Sequence, residues 1–322
     1  MKRISSERIM LVLLDNMAWI LSAVFYLIFA AFKPMFLSWD MIYYIIYSSI
    51  PIGFLVLAES ICLISGNFDL SIGQMTGFIA MFVGHYLLVH PNFPIYIALI
   101  MPMIVGILCG SFNGAFIGGL GLNPFLITLG SFMIFDGATL MVSGFAIPST
   151  GLPKAYLAVG KQPYILIPIF ISVLIIFWFI LRHTEFGTHI YAIGGDSEVA
   201  RIIGINVKKT RFWVFAISGF LCGFSALSFT GFDYSVPITL ADGTVFTAFA
   251  GGVIGGISLT GGRGSVINTF AGILFLSIIE AGLAMFRVSG EVRTVAIGGL
   301  VIAAVVIHMF REIARDRILR PR

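Results

Sequence analysis

The sequence predicts an all-α integral membrane protein of about ten transmembrane helices, and three observations predict it. Hydrophobic residues make up 59% of the 322 residues and charged residues only 11%, with a mean hydropathy of +1.04. A soluble chain of this length needs far more charge to cover its surface. The apolar stretches run to roughly 20 residues, the length a helix needs to cross a bilayer core, so helices rather than a β-barrel are expected. The bases sit in connections flanking these stretches, so the net charge of +4 is no nucleic-acid footprint.

Taken in order, the stretches are roughly 10–32, 42–64, 70–89, 95–118, 125–145, 163–181, 212–232, 241–260, 266–286 and 293–310. The first follows MKRISSERI and resembles a signal peptide, but its apolar part is too long and no small-x-small cleavage site follows. Very short joints separate the second from the third (65–69) and the eighth from the ninth (261–265). With the N-terminus inside, the inner face collects 14 bases: Lys2, Arg3, Arg8, Arg182, Arg201, Lys208, Lys209, Arg211, Arg263, Arg311, Arg315, Arg317, Arg320 and Arg322. The outer face holds the other five of the 19, Lys33, Lys154, Lys161, Arg287 and Arg293. That asymmetry predicts N-in, C-in and an even number of spans. Spans two to five would start outside and seven to ten inside, so any repeat is inverted, with glycine-containing breaks SGNFDLSIG and GISLTGGRGS in the two blocks. The whole chain, 1–322, is expected to form one transmembrane domain.

The one long polar passage is 182–211, RHTEFGTHIYAIGGDSEVARIIGINVKKTR, predicted to be cytoplasmic. Inside it a short helix is marked at both ends: Gly194-Gly195 as a turn, Asp196 or Ser197 as N-cap, and Gly204 as the left-handed stop. Val199, Ile202 and Ile203 form its apolar side. About two turns of helix are not stable alone in water, so this element is expected to pack against a partner protein. The longest outer loop, 145–162, carries Lys154 and Lys161. With Arg287 and Arg293 these offer either a docking face for an acidic partner or ordinary interfacial anchoring.

Nothing in the sequence points to chemistry within the chain. There is no G-x-x-x-x-G-K-[ST] and no H-E-x-x-H, the five histidines are scattered, and Cys62, Cys109 and Cys222 lie singly in apolar stretches with no metal-ligand spacing. Acids in or beside spans are Asp15, Glu59, Asp69, Asp136, Asp242 and Glu280; such groups are costly in a membrane. Glu59 and Glu280 are either proton or cation sites or neutral carboxyls bonded to a helix break. Asp69 follows a glycine break and is expected to cap a helix starting at Leu70.

Four blocks then carry a family resemblance. Ser65–Gly73 is similar to S-G-G-I-D-L-S-V-G, and Asn123–Gly130 to P-P-F-I-A-T-L-G. Phe186-Gly187 with Ile190–Val207 is similar to F-G-R-x-I-Y-A-I-G-G-N-x-x-A-A-R-L-S-G-I-N-V, and Val253–Ser265 to V-I-G-G-T-S-L-S-G-G-R-G-S. The chain resembles the membrane permease subunit of bacterial ABC importers of the ribose/galactose/xylose type, which includes autoinducer-2 and inositol importers. Asn67-Phe68 stands for the usual Gly-Ile, Asp196 for Asn, and Val199 for Ala, departures that bear on the compound transported.

The resemblance implies a ten-helix permease of the type II importer kind, in the bacterial inner membrane. It also implies a second permease chain, identical or paralogous, and a periplasmic or lipid-anchored binding protein. ATP and Mg are expected on a separate ABC ATPase, with no cofactor in this chain, no nucleic acid, and membrane lipids around it. The third block is then the coupling helix docked on the ATPase, with Gly194, Gly195, Asp196, Ser197, Glu198, Ala200, Arg201 and Gly204 as its residues. Asn67, Asp69, Asn123, Phe125 and Thr128 are assigned to the translocation path or its gate. Lys154, Lys161, Arg287 and Arg293 are assigned to binding-protein docking. The rival expectation is a proton- or cation-coupled secondary transporter with Glu59 and Glu280 as carriers.

Overall fold

A computed structural model describes residues 12–240 and 242–319, without side chains for His308 and 314–319. The expected inner bases Lys2, Arg3, Arg8, Arg320 and Arg322, the side chains of Arg315 and Arg317, and the first residues of the first span lie outside the described residues. A helical turn at 12–15 leads through Asn16 into α1 (Met17–Phe32). A 3-10 turn, Pro34–Leu37, precedes α2 (Trp39–Ser48), where the Met41 N–H donates to the Ser38 hydroxyl at 3.2 Å. α3 (Ile50–Ile64) continues α2 with a bend of 44°. Pro51 lies at the bend, removing one amide donor and crowding the preceding turn.

Next come α4 (Ile72–Val89) and α5 (Ile95–Gly114), the latter extended by a π turn, Ala115–Gly119. α6 (Pro124–Val142) is capped by Asn123, whose Oδ1 accepts from Phe125 N–H at 2.9 Å. The connection that follows is structured: β1 (Ile147–Pro148), a 3-10 turn and α7 (Lys154–Lys161). Then run α8 (Pro163–His183), α9 (Glu185–Gly195), α10 (Ser197–Ile202) and α11 (Val207–Phe232). β2 (Ser235–Val236) pairs antiparallel with β1, and α12 (Thr244–Ile254), α13 (Val266–Met285) and α14 (Gly290–Leu319) complete the chain.

Each of the ten expected stretches holds an apolar helix among the described residues, and the helices differ in length. Seven helices among the described residues are long and apolar enough to cross a membrane, or eight if α2 and α3 form one bent span. α1 and α12 are shorter. α12 has 11 residues, a rise of roughly 16 Å, about half the thickness of a bilayer core. It ends where Gly255-Gly256 intervenes, with Gly256 at φ +85°, so the expected 241–260 span is a half-helix followed by irregular chain.

α11 is the central rod, packed against α3, α4, α5 and α7. Its seam with α5 is backbone on backbone. Gly106, Gly110, Gly114 and Gly118 repeat every fourth residue along α5 and its π turn. A Cβ on Gly106 would overlap the Gly219 carbonyl, one on Gly110 the Phe215 carbonyl, and one on Gly118 would lie 2.5 Å from the Lys208 carbonyl. In a bilayer such small-residue stripes replace the hydrophobic effect as the source of helix association.

Gly219→Val is therefore expected to force the two helices apart and to destabilise the chain by about 1–3 kcal/mol or more. Gly130→Ala, where a Cβ meets nothing within 4 Å, is expected to be neutral. Thermal unfolding of the two variants in detergent checks this.

Candidate functional site

The polar passage 182–211 is largely helical. Thr184 opens α9, its hydroxyl accepting from Gly187 N–H at 3.2 Å. Gly194 and Gly195 are not the turn the sequence suggested: they are the last residues of α9, and the chain turns at extended Asp196 (φ −160°, ψ 110°). Asp196, rather than Ser197, is the cap of α10. Its Oδ1 accepts from Glu198 N–H at 2.9 Å and Val199 N–H at 3.0 Å. The other end closes as a Schellman motif: Gly204 sits at φ +91°, its N–H donating to Arg201 O at 3.1 Å and Ile205 N–H to Ala200 O at 3.0 Å. Ala200 is buried with Ile193 and Val207, which pins α10 to the ends of α9 and α11.

The outer side of α10 has no partner among the described residues. Val199 is 53% exposed, Ile202 83% and Ile203 68%. Glu198 and Arg201 flank them with an exposed ion pair of 3.4 Å, too well solvated to contribute much stability. A short helix fixed at both ends thus presents three adjacent apolar side chains rimmed by one acid and one base.

Its root is wedged between two helix breaks. A Cβ on Gly194 would overlap the Ile64 carbonyl and stand 2.5 Å from the Gly262 nitrogen. Ile64 ends α3, and Gly262 lies in the break between α12 and α13; the Gly262 N–H donates to Ile64 O at 2.8 Å. Tyr191 of α9 donates its phenol to Gly264 O at 3.0 Å, and burial pushes its pKa up, keeping the donor proton in place. Gly66 (φ +75°) and Gly261 (φ +84°) form the facing turns, which a side chain would strain.

Behind this junction runs a buried polar chain. Asp69 does not cap a helix beginning at Leu70, because α4 begins two residues later. Instead its Oδ1 accepts from Ser71 N–H at 2.9 Å and the Ser71 hydroxyl at 2.6 Å. Asn113 Nδ2 donates to Ser71 Oγ at 2.8 Å, and Ser131 Oγ donates to Asn113 Oδ1. Asn113 and Ser131 were missed; the available signal was a lone amide in the apolar stretch 95–118. Glu59 is fully buried in α3, its two carboxyl oxygens without a hydrogen-bond partner among the described residues.

The residues assigned to the path divide. Asn67 is buried at the first break, its Nδ2 donating to Ser65 Oγ at 2.7 Å. Thr128 is buried beside the same break, its hydroxyl 3.4 Å from Phe68 O. Asn123 and Phe125 lie exposed at the start of α6, with the Phe125 carbonyl 3.4 Å from the Thr128 hydroxyl. The assigned docking bases also divide. Lys154 and Arg287 are exposed, Lys161 lies 4.5 Å over the Tyr234 ring, and Arg293 lines a cavity beside Glu280.

A family model described as "Branched-chain amino acid transport system / permease component" matches residues 41–306. Among curated relatives, the autoinducer 2 import system permease protein LsrD of Enterobacter sp. (strain 638) is 28% identical over 302 residues, 90% of this chain and 92% of that protein. LsrD of Klebsiella pneumoniae subsp. pneumoniae is 27% identical, covering 87% of this chain and 86% of its own length. LsrD of Yersinia pestis (strain Pestoides F) is 29% identical, covering 80% and 79% respectively. No solved structure matches.

Two outcomes are expected from this geometry. Asp196→Ala removes the cap, worth about 1 kcal/mol, and should raise amide exchange across 197–202 about fivefold by hydrogen–deuterium exchange. Gly194→Ala should destabilise the chain by about 1–3 kcal/mol, whereas Gly195→Ala, whose Cβ meets nothing within 4 Å, should leave the melting temperature unchanged.

Proposed function

This chain belongs to the branched-chain amino acid transport system / permease component family, and on that premise we propose that it is moved by an ABC ATPase docked on α10. It is the transmembrane, non-catalytic subunit of an importer, related in sequence to autoinducer 2 import permeases. The observation that carries the docking assignment is the apolar face Val199–Ile202–Ile203, held rigid by two caps and left uncovered. Mg-ATP is bound and hydrolysed on the partner. Closure of the ATPases shifts α10, and the contact of Gly194 with Ile64 and Gly262 passes that shift to both helix breaks.

The chain lies in the bacterial inner membrane with 182–211 facing the cytoplasm. Arg182, Arg201, Lys208, Lys209, Arg263 and Arg311 gather at the α10 end, which supports that orientation. A binding protein delivers solute to the opposite end, where 145–162 with Lys154 and Lys161, together with Arg287, offers basic contacts. Translocation runs between this chain and a second permease chain, identical or paralogous, with Thr128, Asn67 and Asp69 near the gate. The likeness to autoinducer 2 permeases supports a small sugar-like cargo. Selectivity resides mostly in the binding protein, since tight binding along the path slows release.

Ile202→Asp places a charge in the docking face, and Glu198→Arg reverses its rim. In the reconstituted importer both are expected to lower solute uptake and transport-coupled ATP hydrolysis about tenfold or more, with membrane insertion intact. Normal coupled hydrolysis in both variants would remove the docking assignment.

A further inference from the structure

The second break, 255–265, meets the root of α10 at Gly262. Five of its eleven residues are glycine, at 255, 256, 261, 262 and 264, so holding it in one conformation costs more chain entropy than elsewhere. Its own backbone does part of that work. α12 closes into the break as a Schellman motif, Gly256 N–H donating to Val253 O at 2.9 Å and Ile257 N–H to Gly252 O at 3.1 Å. Further contacts come from the inner end of α14.

Arg311 of α14 is only 8% exposed. An arginine that merely anchors a helix at a membrane surface reaches outward to headgroups and water; this one turns inward. A Cβ on Gly256 would overlap its guanidinium, so the glycine at φ +85° leaves room for the cation as well as turning the chain. The guanidinium thereby stands at the C-terminal, negative end of the α12 dipole. Its Nη2 also lies 3.4 Å from Asp15 Oδ1, and the Asp15 carbonyl accepts from Asn268 Nδ2 of α13 at 2.8 Å. The next residue, Glu312, pairs with Arg263 at 3.2 Å. Arg263 follows Gly262, whose N–H meets Ile64 O beside Gly194. The break is thus held near its start by Arg311 and near its end by Glu312, two neighbouring residues of a helix that flanks it on neither side.

We propose that Arg311 and Glu312 are positioning residues for transport, a clasp that fixes the second break so that displacement at Gly194 is passed to α12 and α13. The proposal rests on the docking reading above and names the residues that keep the break stiff enough to follow it. A slack glycine-rich segment would absorb a shift at Gly262 by changing its own φ and ψ. Clamped near both ends to α14, it moves with its flanking helices instead. The Arg263 and Glu312 side chains are 50% and 30% exposed, so their pair contributes little to stability. What it supplies is the location of the residue beside Gly262.

The test is amide hydrogen exchange of the importer assembled with its ATPase in lipid nanodiscs, with and without Mg-ATP and vanadate. In the parent, nucleotide is expected to change exchange at 197–202 and at 255–265 together. Before nucleotide is added, Glu312→Gln should raise exchange across 255–265 about threefold and Arg311→Gln about tenfold. In both, the nucleotide response at 197–202 should remain while that at 255–265 is lost. The charge swap Arg263→Glu with Glu312→Arg should restore the response, a rescue that a general loss of stability would not show. Glu312 belongs to an exposed pair, so its variants fold whatever Arg311→Gln does. The proposal is overturned if the single variants respond as the parent does, or if the swap responds as Glu312→Gln does. No response at 197–202 in the parent would remove the docking reading instead. The resting exchange of 255–265 in the chain without ATPase then decides the clasp, and a swap that fails to restore it overturns that as well.

Discussion

The arrangement depends on one contact made by backbone alone: the end of α9 at Gly194 against the Ile64 carbonyl and the Gly262 amide. Where side chains meet, rotamers can absorb a displacement; where peptide groups meet directly, they cannot. The Gly262–Ile64 hydrogen bond joins the break after α3 to the break before α13, so the root of α10 touches two parts of the membrane domain at once. α10 is pinned to α9 and α11 through Ala200, Ile193 and Val207. A push on its outer face has few soft elements in which to dissipate before reaching both breaks.

Breaking helices inside a membrane protein leaves peptide groups that lipid cannot satisfy. Here the protein supplies the partners. Ser65 and Asn67 bond within the first break, while Asp69, Ser71, Asn113 and Ser131 extend the network across α4, α5 and α6. In the second break, Ser258 N–H donates to Arg263 O at 3.0 Å and the Ser258 and Thr260 hydroxyls meet at 2.9 Å. Five buried polar residues, Ser65, Asn67, Asp69, Ser71 and Ser258, thus stand where backbone regularity is given up. Asp69 serves this purpose, which accounts for a carboxylate at depth without requiring it to carry a proton.

What could be read in advance follows from the range of the forces involved. Hydrophobic length and base asymmetry act over whole segments, so all ten apolar stretches were visible. The cap of α10 was legible because Asp196 and Gly204 act through neighbours within a few residues. The second break was legible in GISLTGGRGS, but its start at Gly255-Gly256 was set too late, at 261, because Ile257 and Leu259 are apolar and a hydropathy window runs on across them. Gly194-Gly195 misled because glycine pairs suit turns; the reason for Gly194 is the close approach of chain more than a hundred residues away in sequence, at Ile64. The cavity drew on six elements, and no local pattern marks such a meeting.

The two ends of the molecule solve different problems, and α11 connects them. Near Val207 the chain is packed peptide against peptide and suited to transmit displacement. Near Phe232 it opens into a space lined by aromatic, charged and hydroxyl groups. Between them the glycine stripe lets α11 lie on α5 with almost no intervening side chains. A seam of this kind holds the two helices at closest approach, where dispersion between their backbones opposes separation and any added side chain must push them apart. On the proposal that an ATPase docks on α10, a rod seamed so closely to α5 is suited to carry movement at Val207 toward Phe232 with little bending.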